Sequence, residues 1–294
     1  PEEEIEALRE LVKLQFNLPE EKKKFSRQIL SLLAVVFPEY EKTALRNVFG
    51  IASRKVLERW PTAFDLAEAK VHQIEKLVRS IKGNNFNISE IERLIEAAKN
   101  SIYSGRAREI RAFTIRVLLF QLDRVSSSLG KIKEEIDKIL SPKDKSGSFP
   151  GNNLLSAPAV GKNTLAVFLS VAGSKGVAFP SSKKLIGHIG FFPQICESGE
   201  KRRDNIISRR GPNYVRKSLY MAAVSSIRHN RKMRTLYNKK ISQGKSRKQA
   251  LIYVAKKLAQ MMLSMLKSGE TYRPERVFVS PTALPRFQEV APAS

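Results

Sequence analysis

The chain has 294 residues, 42% of them hydrophobic, enough to bury more than one core. Its net charge of +25 is uneven: residues 1–150 hold 27 basic and 22 acidic residues, whereas residues 151–294 hold 26 and 6. The single cysteine, Cys196, excludes an internal disulfide and fits a reducing compartment, and no apolar run reaches the length of a membrane span. A membrane-surface protein would carry its positive charge as one amphipathic anchor or a short cluster, not as a whole domain. The sequence begins at Pro1, has no signal peptide, and reads as starting in mid-protein.

Residues 4–37 read as helix, with Ile5, Leu8, Leu11 and Val12 on one face and Ile29, Leu32, Leu33 and Val36 on another, punctuated by Pro19 and Pro38. A second helical set covers Thr43–Val56 and Thr62–Ile81 and is broken by Gly83-Asn84-Asn85. Ser89 reads as the N-cap of a helix with Ile91, Leu94, Ile95 and Ala98 inward. The clearest periodicity is Ile115, Leu118, Leu122, Val125, Leu129, Ile132, Ile136 and Ile139, a heptad seam sustained for more than three heptads. Two readings stand for it. One is a coiled coil, with an earlier helix of the chain or with another subunit. The other is a long helix packed inside its own bundle. Gly130 and Ser126–Ser128 weaken the middle of the seam.

Residues 141–153 form a linker by composition. Four helical patterns follow. The last is the best defined, with Ser246 as cap, Gly269 as stop, and Ala250, Leu251, Val254, Leu258, Met261, Met262, Met265 and Leu266 inward. Its methionine stripe reads as core. From Arg273 onward four prolines mark an extended tail.

From Asn205 to Gly269 the chain contains no Asp or Glu and sixteen Lys and Arg. A helical surface this long and free of acids suits the phosphate backbone of nucleic acid. Just upstream stand Ser198-Gly199 and the triplet Lys201-Arg202-Arg203. A serine before glycine is usually a turn. In a basic neighbourhood it also serves as a nucleophile, with cations stabilising the charge of a pentacovalent phosphate. Leu154–Gly173 resembles a helix-hairpin-helix, which would present backbone N–H groups at Gly161 and Lys162 to phosphate. A plain corner between helices is the other reading, and Ala159 stands where the element usually has its first glycine. Trp60 before Pro61 reads as a helix corner. Tyr214, Tyr220, Phe191 and Phe192 read as core, with base stacking as the alternative. His72, His188 and His229 are too scattered for a zinc site.

Four motifs occur in order. They are Pro-x-Val-Gly at Pro158–Gly161, Gly-hydrophobic-x-Pro-x4-Ser-Gly at Gly190–Gly199, Ser-x-x-Gly-x-Asn-x-x-Arg-x-x-Leu at Ser208–Leu219, and Gly244-Lys245 before a helix. This order resembles the C-terminal domain of the insertion-sequence transposases that pair a DEDD, RuvC-like metal domain with a serine domain, the bridge-RNA-guided recombinases. The helix from Leu8 to Tyr40 is similar to the one that follows the family's last metal-ligand aspartates, so the resemblance covers about residues 5–272. It implies Ser198 as the nucleophile, Gly199 as the residue that allows the tight turn, and Arg210, Asn213 and Arg216 in phosphate contact or site support. Beside the resemblance, Gly211 reads as a turn residue, and Lys201, Arg202, Arg203, Arg209 and Lys217 are candidate nucleic-acid contacts in the basic segment. The resemblance also implies Mg2+ held by four carboxylates that have no counterpart in this sequence and belong to an upstream domain. DNA, a guide RNA and further copies of the chain are the implied partners, in a prokaryotic, nucleoid-associated, cytoplasmic setting. One local departure is Pro212, which separates Gly211 from Asn213.

The expectation is a mainly α chain. Residues 1–60 form a helical segment after a missing metal domain, 61–145 a helical or coiled-coil region, 150–272 an all-α serine domain, and 273–294 a tail. The function expected is cutting and joining of DNA. The competing readings are a non-catalytic nucleic-acid-binding protein on the same scaffold and a structural coiled-coil protein.

Overall fold

The computed structural model describes residues 2–43, 47–81, 87–141, 149–198, 201–208 and 210–275, with the backbone alone over 193–198 and 201–207. The elements in chain order are α1 (Glu2–Val36), α2 (Tyr40–Thr43), α3 (Ile51–Arg59), α4 (Ala63–Ala67), α5 (Val71–Arg79), α6 (Ile88–Lys99), α7 (Arg108–Leu140), a 3-10 turn (Asn152–Ser156), α8 (Lys162–Ala172), α9 (Ser182–Ile189), β1 (Pro193–Ser198), β2 (Lys201–Ile207), α10 (Asn213–His229), α11 (Arg231–Ser242) and α12 (Arg247–Ser268). The fold is mainly α, as composition and periodicity imply. Two compact units divide it: residues 15–132, and residues 1–14 with 133–294. The division falls inside α1 and α7 rather than at the 141–153 composition boundary.

The unit of residues 15–132 closes around Ile29, Leu33, Phe37, Tyr40, Val56, Leu57, Leu66, Ile74, Leu94, Ile115 and Leu122. Burial pushes the Tyr40 hydroxyl above the usual tyrosine range. That hydroxyl is satisfied by Ser53, whose Oγ lies 2.7 Å away. Arg54 of α3 pairs with Asp123 of α7, and Arg116 Nε donates to the Glu58 carbonyl at 3.0 Å. On α7, Ile115, Leu119 and Leu122 are buried in this core, and Leu118 only packs against it. Here the periodic face serves the chain's own bundle.

In the other unit α8 is buried at every position from Leu165 to Ser170. The inward faces of α9, α10 and α12 supply Leu185, Ile189, Val215, Leu219, Ala223, Val254, Leu258 and Met262 to the same core, so the methionine stripe is core. α12 starts and stops where local signals place it. Gln249 N–H donates to Ser246 Oγ, Ser246 N–H donates back to Gln249 Oε1, and Gly269 closes the helix at φ +71°.

Several local expectations change. The second helical set is broken up, with residues 47–50 outside helices and residues 62–81 divided between α4 and α5. Pro19 does not end a helix, because α1 runs through it. The helix at 88–99 starts from Asn87 rather than Ser89, and Asn87 N–H donates to the Glu90 carboxylate at 3.3 Å. The second half is not all α: the stretch read as a loop from Phe191 to Gly199 holds β1, paired antiparallel with β2. Neither strand alternates apolar with polar residues, so the period-2 signal on which strand prediction rests is missing.

Candidate nucleic-acid interface and nucleophile

The hairpin stands on a clasp between the end of α9 and the start of α10. α9 ends at Gly190, whose φ of +81° reverses the chain, and the N–H groups of Gly190 and Phe191 both return to the Ile186 carbonyl at 3.1 Å. Phe191 is buried and anchors the exit. Across from it Gly211 takes φ +93°. The two glycines lie flush against each other's segments. A Cβ on Gly190 would lie 2.1 Å from the Arg210 carbonyl oxygen, and one on Gly211 would lie 2.0 Å from that of His188. Only glycine fits either position.

Three carbonyls converge at this crossing, and one cation satisfies them. Arg216, in the first turn of α10, donates from one terminal nitrogen to Ile189 O at 3.0 Å, Arg210 O at 3.1 Å and Gly211 O at 2.9 Å. Burial lowers the pKa of this guanidinium from the usual arginine value. Ser208 completes the clasp. It is 2% exposed, its N–H donates to Phe192 O at 2.9 Å, and its Oγ accepts from Arg210 N–H at 3.3 Å.

From this root the ladder runs Pro193↔Ile207, Gln194↔Ile206, Cys196↔Arg203, Glu197↔Arg202 and Ser198↔Lys201, with one extra residue on β2 between the second and third pairs. Ser198 therefore belongs to the last pair, opposite Lys201. At about 3.3 Å per residue it stands roughly 17 Å along the strand from Pro193. The basic triplet is brought to the same end: Lys201, Arg202 and Arg203 face Ser198, Glu197 and Cys196 across the ladder. Gly199, Glu200 and Arg209 lie outside the described residues.

Among the other sequence candidates, Arg210 and Lys217 are exposed beside the clasp. Asn213 is the first residue of α10, with Pro212 at the cap position making no side-chain cap bond. Gly161 precedes α8 and makes none either. Lys162 turns to Asp137 of α7 at 3.6 Å and is not part of the clasp. Ala159 holds φ +74°, the left-handed conformation a glycine would adopt freely. Phe192 is 38% exposed, whereas Tyr214 and Tyr220 are half-buried. Gly190 and Ser208 were not among the candidate residues, although both stand inside the motifs quoted above.

Residues 151–238 match the model of the family described as Transposase IS116/IS110/IS902. The matched segment runs from the 3-10 turn into α11. The match takes in α8, α9, the hairpin and the clasp, and stops before α12. The chain is similar to the insertion element IS110 uncharacterized 43.6 kDa protein of Streptomyces coelicolor, at 24% identity over 89% of this chain and 63% of that protein. It is also similar to the insertion element IS900 uncharacterized 42 kDa protein of Mycobacterium paratuberculosis, at 31% identity over 41% of this chain and 30% of that protein. The chain thus spans less than two thirds of the length of either relative. Among the described residues no group of three or more His, Cys, Asp or Glu is placed to hold a metal ion, and no helix is long and apolar enough to cross a membrane.

Proposed function

We propose that the protein is a DNA transposase or recombinase that cuts and joins DNA strands through Ser198. The observation that carries this reading is the hairpin, which brings one serine and three consecutive cations to its far end. It stands within the segment that matches the transposase family. Attack by Ser198 Oγ on phosphorus forms an O–P bond as one ester P–O bond breaks. The serine proton passes to solvent, and the departing strand oxygen takes one up. In the ladder Lys201 is paired with Ser198 and Arg203 shares its strand face, whereas Arg202 alternates to the other face, opposite Glu197; cations so placed suit the charge on a phosphate. The Mg2+ that the family resemblance implies finds no ligand set among the described residues. Its carboxylates would come from another part of the protein or from another subunit.

A guide RNA on the basic surface is part of this reading, to be sought by sequencing the RNA that co-purifies with the chain. So is a homo-oligomer through α7. Besides its buried face, that helix leaves Ile110, Phe113, Val117 and Phe120 exposed at 3-4-3 spacing, and sedimentation of Phe113→Glu against wild type tests it. The decisive experiment incubates full-length protein with DNA of the element's ends and looks for a covalent DNA adduct on Ser198 by mass spectrometry. Ser198→Ala is expected to abolish strand joining and leave DNA affinity unchanged. Equal joining by the variant would overturn Ser198 as the nucleophile, and tight binding with neither adduct nor joining by the full-length wild type would leave a non-catalytic nucleic-acid-binding protein.

A further inference from the structure

The corner between α11 and α12 lies mostly beyond the family match and outside the hairpin site. Of the twelve residues of α11 only Met233 is buried. A helix that contributes so little to the core is nonetheless fixed at both ends. Buried Asn230 accepts from the N–H groups of Lys232 and Met233 at 3.1 and 3.3 Å, and donates to the Tyr272 hydroxyl at 2.8 Å. At the other end Gly244, at φ +76°, reverses the chain, and Lys245 N–H returns to the Lys240 carbonyl at 3.1 Å. Ser246 then caps α12 directly.

The corner so fixed presents Arg231, Lys239, Lys245, Arg247 and Lys248, all exposed, in a stretch with no acidic residue. It also holds an aromatic face. Tyr253 is 38% exposed, with Lys240 Nζ 4.6 Å and Lys256 Nζ 5.3 Å from its ring centroid. One of these lysines comes from α11 and the other from α12, so the arrangement depends on the packing of both helices. Cations along a rigid edge and a π face between two lysines are the elements of a single-strand site, where phosphates follow the charge and a base stacks on the ring. Bases inside a duplex already have both faces covered, so only an unpaired base can use Tyr253.

We propose that the α11–α12 corner is a second nucleic-acid contact, and that Tyr253 stacks on an unpaired base of a single strand whose phosphates lie along Lys245, Arg247 and Lys248. This deepens the nucleic-acid reading above and is tested apart from strand joining. Fluorescence anisotropy of the full chain is measured with short single-stranded RNA, single-stranded DNA and duplex DNA over a salt series. Tyr253→Leu should weaken single-strand binding about tenfold. It should leave duplex binding and the salt slope unchanged, with hydrogen exchange across α12 reporting an intact fold. Tyr253→Phe, which keeps the π face, should bind as wild type. The triple change Lys245→Gln, Arg247→Gln, Lys248→Gln should reduce the single-strand salt slope by roughly 2. A Tyr253→Leu loss on RNA, on DNA or on both supports stacking and names the preferred strand. The inference is overturned if Tyr253→Leu binds single strands as wild type does, if it loses duplex binding equally, or if Tyr253→Phe loses as much. Wild type binding no oligonucleotide at all would instead overturn the reading beneath it.

Discussion

Gly211→Ala tests the clasp directly. At φ +93° an L-residue sits in left-handed space, at a cost of about 1–2 kcal/mol. The added Cβ would lie 2.0 Å from the His188 carbonyl oxygen, where non-bonded heavy atoms settle near 3.5 Å, so backbone must move by about 1.5 Å. That movement carries the Arg210 and Gly211 carbonyls away from Arg216. A hydrogen bond to a charged group contributes roughly 1.5–3 kcal/mol, so losing one brings the total to about 2.5–5 kcal/mol. The chain divides into two units, which makes a single unfolding midpoint a poor readout. Hydrogen exchange of residues 186–220 by mass spectrometry is the better assay, and protection there should fall while that of residues 50–80 stays. Gly187→Ala is the control. Gly187 lies within α9 with nothing within 4 Å of its added Cβ, and alanine there should stabilise the helix by about 0.5–1 kcal/mol. The reasoning fails if Gly211→Ala exchanges as wild type does, or if Gly187→Ala is equally damaging.

Two further outcomes follow from the same geometry. Arg216→Gln should destabilise the clasp but leave the salt slope of DNA binding nearly unchanged, because this guanidinium is turned to three carbonyls. Replacing Lys201, Arg202 and Arg203 together by Gln should instead lower that slope by roughly 2–3. A reversed pattern in salt titrations would make Arg216 the phosphate contact. Ala159→Gly should stabilise the chain by about 0.5 kcal/mol. It relieves a left-handed alanine at φ +74°, at the cost of greater freedom in the unfolded chain. A loss of hydrogen-exchange protection over residues 149–172 would show that the alanine methyl is packed to advantage.

What the sequence revealed depended on how local the signal was. α12 was legible because its cap, periodic face and glycine stop lie within one segment. The α7 seam was legible as periodicity, but whether it packs inside the chain or against a second copy is a tertiary question that spacing leaves open. Asn87 displaced Ser89 as the start of α6 because two polar residues two positions apart can each cap a helix, and the capping partner Glu90 suits the first. The hairpin was missed because the pairing of Pro-Gln-Ile-Cys-Glu-Ser with Lys-Arg-Arg-Asp-Asn-Ile-Ile is set from outside the strands.

That outside source is the motif itself. Ser208, Gly211, Arg216 and Leu219 are among its fixed positions, and in the fold they stand at or beside the root of the hairpin. Ser208 ties the two feet of the hairpin, Gly211 lets the α9 end come flush, Arg216 closes the crossing of carbonyls, and Leu219, one turn on, is buried in the core. Gly190 completes the set from the other motif. An isolated two-stranded hairpin is marginal in water. One that must hold a serine roughly 17 Å from its first residue needs a fixed root more than it needs strand-forming residues. The spacing Ser-x-x-Gly-x-Asn-x-x-Arg-x-x-Leu therefore encodes where the hairpin points. On the proposed mechanism the chemistry at its tip would rest on Ser198 and the cations across the ladder, which predicts separable phenotypes: clasp variants lose protection at 186–220, and Ser198→Ala loses strand joining with that protection intact.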